Sequence, residues 1–298
     1  MKSENKIGIK KDKNDVGIKT LLVFKYIIMA IIVGIVVGII DTIFGRGLIE
    51  ISDFRNKNYK FLLPFLPIAG LFITWMYHKF NELSLKGMTL VFETRQQKRN
   101  SIPLALVPLV MVGTWITHLF GGSAGREGVA VQIGATLSHA FGKKLKMPDN
   151  SKVMLITGMA AGFGGLFQTP LTAIFFAMEV IVTGYMDYEA MLPAMIGAFV
   201  AYFTSHTLGL EKFEVNLNQT INMTDAKNGI AIIVLGIAFG IVGRLFSVLL
   251  QKSKIFMSEK IANPYMRIGI ISIPLAICLL FFFQEDIQDL VQILYQRH

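Results

Sequence analysis

Gly121-Gly122-Ser123-Ala124-Gly125-Arg126-Glu127-Gly128-Val129-Ala130-Val131-Gln132-Ile133-Gly134 opens on five small residues and runs into an apolar, helix-forming pattern. Glycine loses backbone entropy in a helix, so the helix is expected to begin just after them, near Arg126 or Glu127. The free N–H groups of its first turn, with the positive end of the peptide dipoles, then face a glycine loop. Such an arrangement binds a small anion without a full positive charge. Glu127 puts a carboxylate inside that site. Ionised, it occupies the dipole end itself; protonated, it leaves the place to a free anion, so that proton and anion exchange. In a soluble helix the same acid would be an ordinary first-turn residue contributing a few tenths to about 1 kcal/mol. Here the flanking runs, 104–120 and 129–141, are long, apolar and nearly uncharged, and an ionisable residue at membrane depth marks function.

The composition agrees. Of 298 residues, 53% are hydrophobic and 16% charged, and the mean hydropathy is +0.55, whereas soluble domains carry about 25% charged residues. The pattern is that of an all-α, polytopic membrane protein. The net charge of +9 is spread over loops and the N-terminal tail instead of one periodic face. Anionic lipid headgroups account for it better than nucleic acid does. The single cysteine, Cys278, excludes a disulfide framework and a thiolate metal site and reads as apolar filler. No metal-ligand spacing and no cofactor motif appears, and residues 121–128 lack the Gly-Lys-Ser/Thr ending of a phosphate-cradling loop.

Working outward, residues 1–19 form a lysine-rich tail, expected in the cytoplasm because lysines beside a first span keep that end inside. The first span covers 21–44 and contains Gly34-xxx-Gly38, a spacing that lets another helix approach closely. A second apolar segment, 61–78, is bent or started by Pro64 and Pro67. The linker 79–101 hides a short apolar piece after Gly87, beginning at Met88, too short to span. Its start could aim at the same anion as the Glu127 helix, or Met88 could simply pack. Ser151 is a candidate cap for the run 153–166, and Thr169-Pro170 a candidate start for the next short helix. Short, glycine-broken segments of this kind are the pointer to a transporter built from discontinuous helices. Residues 188–208 form another span, 209–228 a solvated polar loop, and 267–283 a further membrane segment before the polar stretch 284–298.

Gly34, Gly38 and Phe44 recur as Gly236, Gly240 and Phe246, all at an offset of 202 residues. Such a repeat argues for two similar halves, inverted as in many transporters. The division expected is a tail over 1–19, a first repeat with the anion site over 20–208, and a linker with the start of a second repeat over 209–298. A second half of equal length would run well past His298, so the second repeat is expected to be incomplete.

Gly125-Arg126-Glu127-Gly128, followed by Ala160-Ala161-Gly162-Phe163-Gly164-Gly165-Leu166-Phe167-Gln168-Thr169-Pro170-Leu171-Thr172-Ala173-Ile174-Phe175-Phe176-Ala177-Met178-Glu179, resembles the CLC family of chloride channels and anion/proton antiporters. Lys86-Gly87-Met88-Thr89-Leu90 and Thr117-His118-Leu119-Phe120-Gly121-Gly122-Ser123 look most like its bacterial fluoride-exporting branch, where a methionine replaces the serine of the chloride members. The resemblance implies a CLC-like inverted-repeat fold of short, broken and tilted helices in the cell membrane. It implies an anion site at Met88, Gly125, Arg126, Glu127, Gly128 and Val129, with Glu127 as the gating and proton-carrying glutamate. It also implies a homodimer. The chloride/proton exchangers of the family carry a second, proton-relaying glutamate directly after the position of Glu179; here Val180 stands there, as in the fluoride branch. Glu179 remains a possible polar pathway residue.

Three readings follow. Fluoride/proton antiport is preferred; a chloride channel or chloride/proton exchanger, and a shortened fragment that inserts without transporting, are the others. An intramembrane hydrolase using Ser123 and His206 is the weakest, because the serine lacks a Gly-x-Ser-Gly setting.

Overall fold

Between residues 21 and 44 only Lys25 and Asp41 carry a charge, and this run forms the middle of one long helix, α1, Glu4–Leu62. One stripe of it, Met29, Ala30, Val33, Val37, Phe44 and Leu48, is buried, at the three- and four-residue spacing of a helix face. The opposite stripe is equally apolar but exposed, with Ile28, Ile32, Ile35, Ile39 and Ile43 pointing away from the core. A helix apolar on every side is one that has protein on one face and lipid on the other. The computed structural model describes residues 4–147, 152–180, 184–211 and 226–282, and no strand occurs among them. Contacts divide the chain into two compact units, Met1–Lys212 and Phe213–His298.

The helix does not stop at Phe44. Nothing breaks it there: Gly45 faces Leu210 and Gly47 faces Trp115, so both glycines serve close approach rather than termination. It also takes up residues 4–19, the expected tail, as helix. The break comes where the prolines stand. Asn58 leaves helical geometry (φ −123°, ψ 19°), a short 3₁₀ turn follows at Leu63–Phe65, and α2 begins at Leu66–Phe80 with Pro67 in its first turn. Trp115 ties the far part of α1 down, donating to the Phe44 carbonyl at 3.1 Å while its ring stacks on Phe44 at 6.2 Å.

After α2, the Asn81 side chain accepts from the Ser84 N–H and starts a 3₁₀ turn, Glu82–Lys86. Gly87 then adopts φ +51°, and α3 runs over Met88–Arg95. Lys86 and Arg99, each 3.1 Å from the Glu93 carboxylate, hold that group below its ordinary range, the Lys86 hydrogen bond contributing most. Arg95 pairs with Asp187. The remaining helices of the first unit are α4 Leu106–Leu119, α5 Arg126–Lys144, α6 Lys152–Phe167, α7 Pro170–Glu179 and α8 Met191–Thr207.

The centre of this unit is α6, buried along nearly its whole length. It is short but need not face lipid, because α5, α7, α8 and α1 surround it. Small residues permit the approach. A Cβ on Gly134 of α5 would fall onto the carbonyl oxygen of Gly158, one on Gly158 onto that of Gly134, and one on Gly162 onto that of Ala130. On α1, Gly34 and Gly38 do the same toward α8, facing Val200 and the Ala201 carbonyl, each at 2.7 Å from a built Cβ. The Gly-xxx-Gly spacing of the first span is therefore a packing seam.

Two details differ from expectation. Thr169 occupies the cap position of α7, but its side chain makes no capping hydrogen bond (φ −126°, ψ 65°). The turn is made by Gln168 at φ +54°, and Pro170 supplies the preset φ of the first helical residue. The candidate cap Ser151 lies outside the described residues.

The second unit contains α9, Ala226–Lys260, and α10, Pro264–Phe282. Asn263 accepts from the Tyr265 N–H at 2.9 Å, and Pro264 takes the first helical position, so α10 has a regular start. Cys278 is exposed on α10 and fills no core. The terminal stretch 284–298 lies outside the described residues. Among the described residues, three helical stretches are long and apolar enough to cross a membrane: Thr20–Phe80, Ala226–Lys260 and Pro264–Phe281. Leu106–Leu119, Lys152–Phe167 and Pro170–Glu179 are apolar but shorter.

Candidate functional site

The glycine loop ends where expected. Gly125 is extended (φ −70°, ψ 130°), α5 starts at Arg126, and no side chain caps its first turn. The N–H groups of that turn are left facing outward with the positive end of a 19-residue helix behind them. The loop before it is fixed rather than loose. Gly121 turns the chain at φ +81°, the Gly122 N–H donates to the Thr117 carbonyl at 2.8 Å, and His118 Nε2 bonds the Ala124 carbonyl at 3.0 Å. His118 thus braces the loop.

Gly125, Arg126 and Glu127 are exposed, Gly128 is half-buried and Val129 is buried. Val129 belongs to a core cluster with Phe44, Val110 and Ile133, so the base of the first turn is anchored while its tip is open. The Glu127 carboxylate curls back over the helix start, with Oε2 3.1 Å from where a Cβ on Gly125 would stand. A side chain at Gly125 would crowd it. Among the described residues the Glu127 side chain makes no ion pair and no hydrogen bond.

A second uncapped helix start lies beside the first. Gly87 opens α3 with no side-chain cap, and a Cβ on it would meet Oε1 of Gln132, on the second turn of α5, at 3.4 Å. Gln132 donates through Nε2 to the Gly128 carbonyl at 2.9 Å, and its buried Oε1 has no hydrogen-bond partner. Met88, the first residue of α3, is half-buried and packs against the cluster of Leu90, Val91, Val131 and Ile156. Part of it is core, as the packing alternative holds, and part remains open at the α3 start.

Glu179 is not brought to this place. It is exposed as the last residue of α7, roughly 14 Å along the helix from Pro170 at 1.5 Å per residue. The hydrolase pair is not assembled either. His206 Nδ1 faces Gln168 Oε1 at 3.3 Å, and His118 is engaged with Ala124, so neither histidine serves Ser123 as a base.

Two further polar residues have a signal in the sequence. Gln132 follows Gly128 by four positions and so shares its helix face. Asp41 is an acid inside the first span, and the rule that singled out Glu127 applies to it equally.

With this geometry in place, comparison with known proteins assigns the chain. The voltage gated chloride channel family model matches residues 69–297. A chloride/fluoride channel protein of Pseudomonas syringae pv. tomato is 30% identical over 247 residues, which is 82% of this chain and 54% of that protein. A voltage-gated ClC-type chloride channel of Salmonella typhimurium is 25% identical, over 66% of this chain and 47% of its own. Among solved structures, a CLC-type fluoride/proton antiporter superposes with a TM-score of 0.84 at 42% identity, covering 88% of this chain and 66% of that one. A slow cyanobacterial Cl⁻/H⁺ antiporter, 18% identical, shares the fold with a TM-score of 0.67, over 83% of this chain and 63% of its own. The chain spans about half the length of the curated relatives it matches. The uncapped start of α5, the broken helices around α6 and the matched sequence agree: this chain belongs to the CLC family of voltage-gated chloride channels and anion antiporters, which are membrane transporters and not enzymes.

Proposed function

We propose that the protein exports fluoride in exchange for protons across the cell membrane, with its N-terminus in the cytoplasm and Glu127 as the group that alternately blocks the anion site and carries the proton. One observation carries this reading: α5 opens without a cap, and the single acid of its first turn is exposed and unpaired. A carboxylate in that position competes with an anion for the same N–H groups, and protonation removes the competition. The preference for fluoride is supported by Met88 at the neighbouring helix start, by Val180 after Glu179, and by the 42% identity to a protein described as a fluoride/proton antiporter. A homodimer is the assembly that the family resemblance implies. Chloride exchange is the second reading, favoured by relatives described as chloride channels.

The test is fluoride-electrode recording of efflux from liposomes carrying the 298-residue chain, with proton uptake followed in the same vesicles and chloride-loaded vesicles as the control. Fluoride efflux that draws protons inward against a gradient supports antiport. Chloride movement without fluoride preference supports the second reading. No flux of either ion, from protein shown to be inserted, overturns both.

Met88→Ser separates the roles of Met88. Serine adds a hydroxyl donor and removes the polarizable thioether, so the fluoride-to-chloride flux ratio is expected to fall several-fold. An unchanged ratio would leave Met88 as a packing residue only.

A further inference from the structure

Asp41 is fully buried in α1, and neither of its carboxyl oxygens has a hydrogen-bond partner. Its Oδ2 faces Gly165 near the end of α6, where a Cβ would stand 2.6 Å away. Glycine is thus what makes room for the carboxyl. Ala201 of α8 closes the same spot, its Cβ 3.3 Å from that position. Ser205 of α8 donates to the Gly165 carbonyl at 2.7 Å, and beyond it the buried Gln168 meets the exposed His206 at 3.3 Å. Polar groups therefore lead from the seam of α1, α6 and α8 toward its exposed end. The charged or titratable groups on this side include Arg46 and Glu50 of α1, His206 of α8 and Glu211 after it, all exposed, and the half-buried Tyr202, whose ring stacks on His206. Arg46 reaches the Leu208 carbonyl at 3.4 Å and not Asp41. On α6 the one charged residue is Lys152, at the end far from Gly165, and the residue that follows the helix is the neutral Gln168.

A carboxylate without a partner is costly to bury, and a carboxyl without an acceptor gives nothing back. An apolar side chain would pack this seam at less cost. What a carboxyl adds is the capacity to bind one proton. Gly158, Gly162 and Gly165 share one face of α6 at the i, i+4, i+7 spacing of a helix, and along it α6 meets α5 through Gly158 and Gly162 and meets α1 and α8 through Gly165. We propose that Asp41 is a second proton-binding site, distinct from Glu127, which takes up one proton to become a neutral carboxyl and releases it during transport. The proposal deepens the proton-coupled reading and rests on it.

Infrared difference spectroscopy of the reconstituted 298-residue chain, stepped from acid to alkaline pH, tests it. A carboxyl without hydrogen bonds absorbs apart from solvated ones. The expected result is a titrating carboxyl band that persists in Glu127→Gln and is absent in Asp41→Asn, with a lower proton-to-fluoride flux ratio in Asp41→Asn while fluoride still moves. Identical titrating bands in wild type and Asp41→Asn would overturn the proposal, as would an unchanged flux ratio with an unchanged pH profile. Should Asp41→Asn fail to fold, Asp41→Glu replaces it, and the band must then shift in frequency; an unshifted band overturns the proposal. A wild type that moves no fluoride but shows the Asp41 band would sink the antiport reading and leave the proton site standing.

Discussion

Gly158→Val is expected to leave almost no folded, monodisperse protein, whereas Gly113→Ala is expected to be tolerated. The first places a branched side chain where α5 and α6 touch backbone to backbone: even a single Cβ on Gly158 would collide with the Gly134 carbonyl and with the Ser138 Cβ. Overpacking usually costs about 1–3 kcal/mol because flexible side chains give way. Carbonyl groups in two helices cannot, so the helices must separate along a seam that includes Gly162 against Ala130 and the hydrogen bond from Ser138 to the Met154 carbonyl. Against a total stability of about 5–15 kcal/mol, parting the central helix from α5 is a large fraction. Gly113 is the control. Its Cβ would meet Tyr77 at 3.4 Å, an ordinary contact, and replacing glycine by alanine inside a helix favours the helix by up to about 1 kcal/mol. Size-exclusion profiles and thermal midpoints in detergent distinguish the two. A Gly158→Val protein that melts with the wild type would mean that α5 and α6 do not cross at these glycines.

The same pair of positions shows what the sequence could convey. Five small residues before Arg126 made the start of α5 legible to within one position, because glycine and the dipole act over a single turn. Gly87 and Pro170 marked the starts of α3 and α7 for equally local reasons. The length of α1 was not legible. A glycine can end a helix or admit a neighbour, and only the presence of Leu210 and Trp115 opposite Gly45 and Gly47 decides which. Gly134 and Gly158 likewise carry no mark of pairing, since they are distant in sequence and glycine is common in membrane helices. Thr169 had the chemistry of a cap, yet the backbone turn at Gln168 leaves its hydroxyl unused. Of the site, the residues contiguous with Glu127 were legible and the contribution of Gln132 was not, because its neighbour, Gly87, comes from another helix.

Glu127→Ala is expected to have the largest functional effect: fluoride continues to leave the vesicles, and the protons that accompany it fall at least about tenfold, the ratio that a difference of about 1.4 kcal/mol already produces. On the proposed antiport, this effect comes from competition at one helix end. The first turn of α5 offers unpaired N–H groups and no capping side chain, and Glu127 is the only acid in that turn. While its carboxylate lies over the start, near Gly125, an anion finds the positive end occupied. Protonation removes the charge and the occupancy together, so each opening of the site is tied to one proton. Alanine removes both the blocking anion and the proton carrier, leaving a site that is always open and couples to nothing. The flanking residues do not replace it: Arg126 beside it repels protons rather than carrying them, and Glu179 stands at the far end of another helix. Simultaneous fluoride-electrode and pH recordings on wild-type and Glu127→Ala vesicles measure the ratio directly. If the variant still drives protons against their gradient as fluoride moves, the proton travels by another group, and Asp41, buried in the seam of α1, α6 and α8, becomes the first candidate for the whole of the coupling.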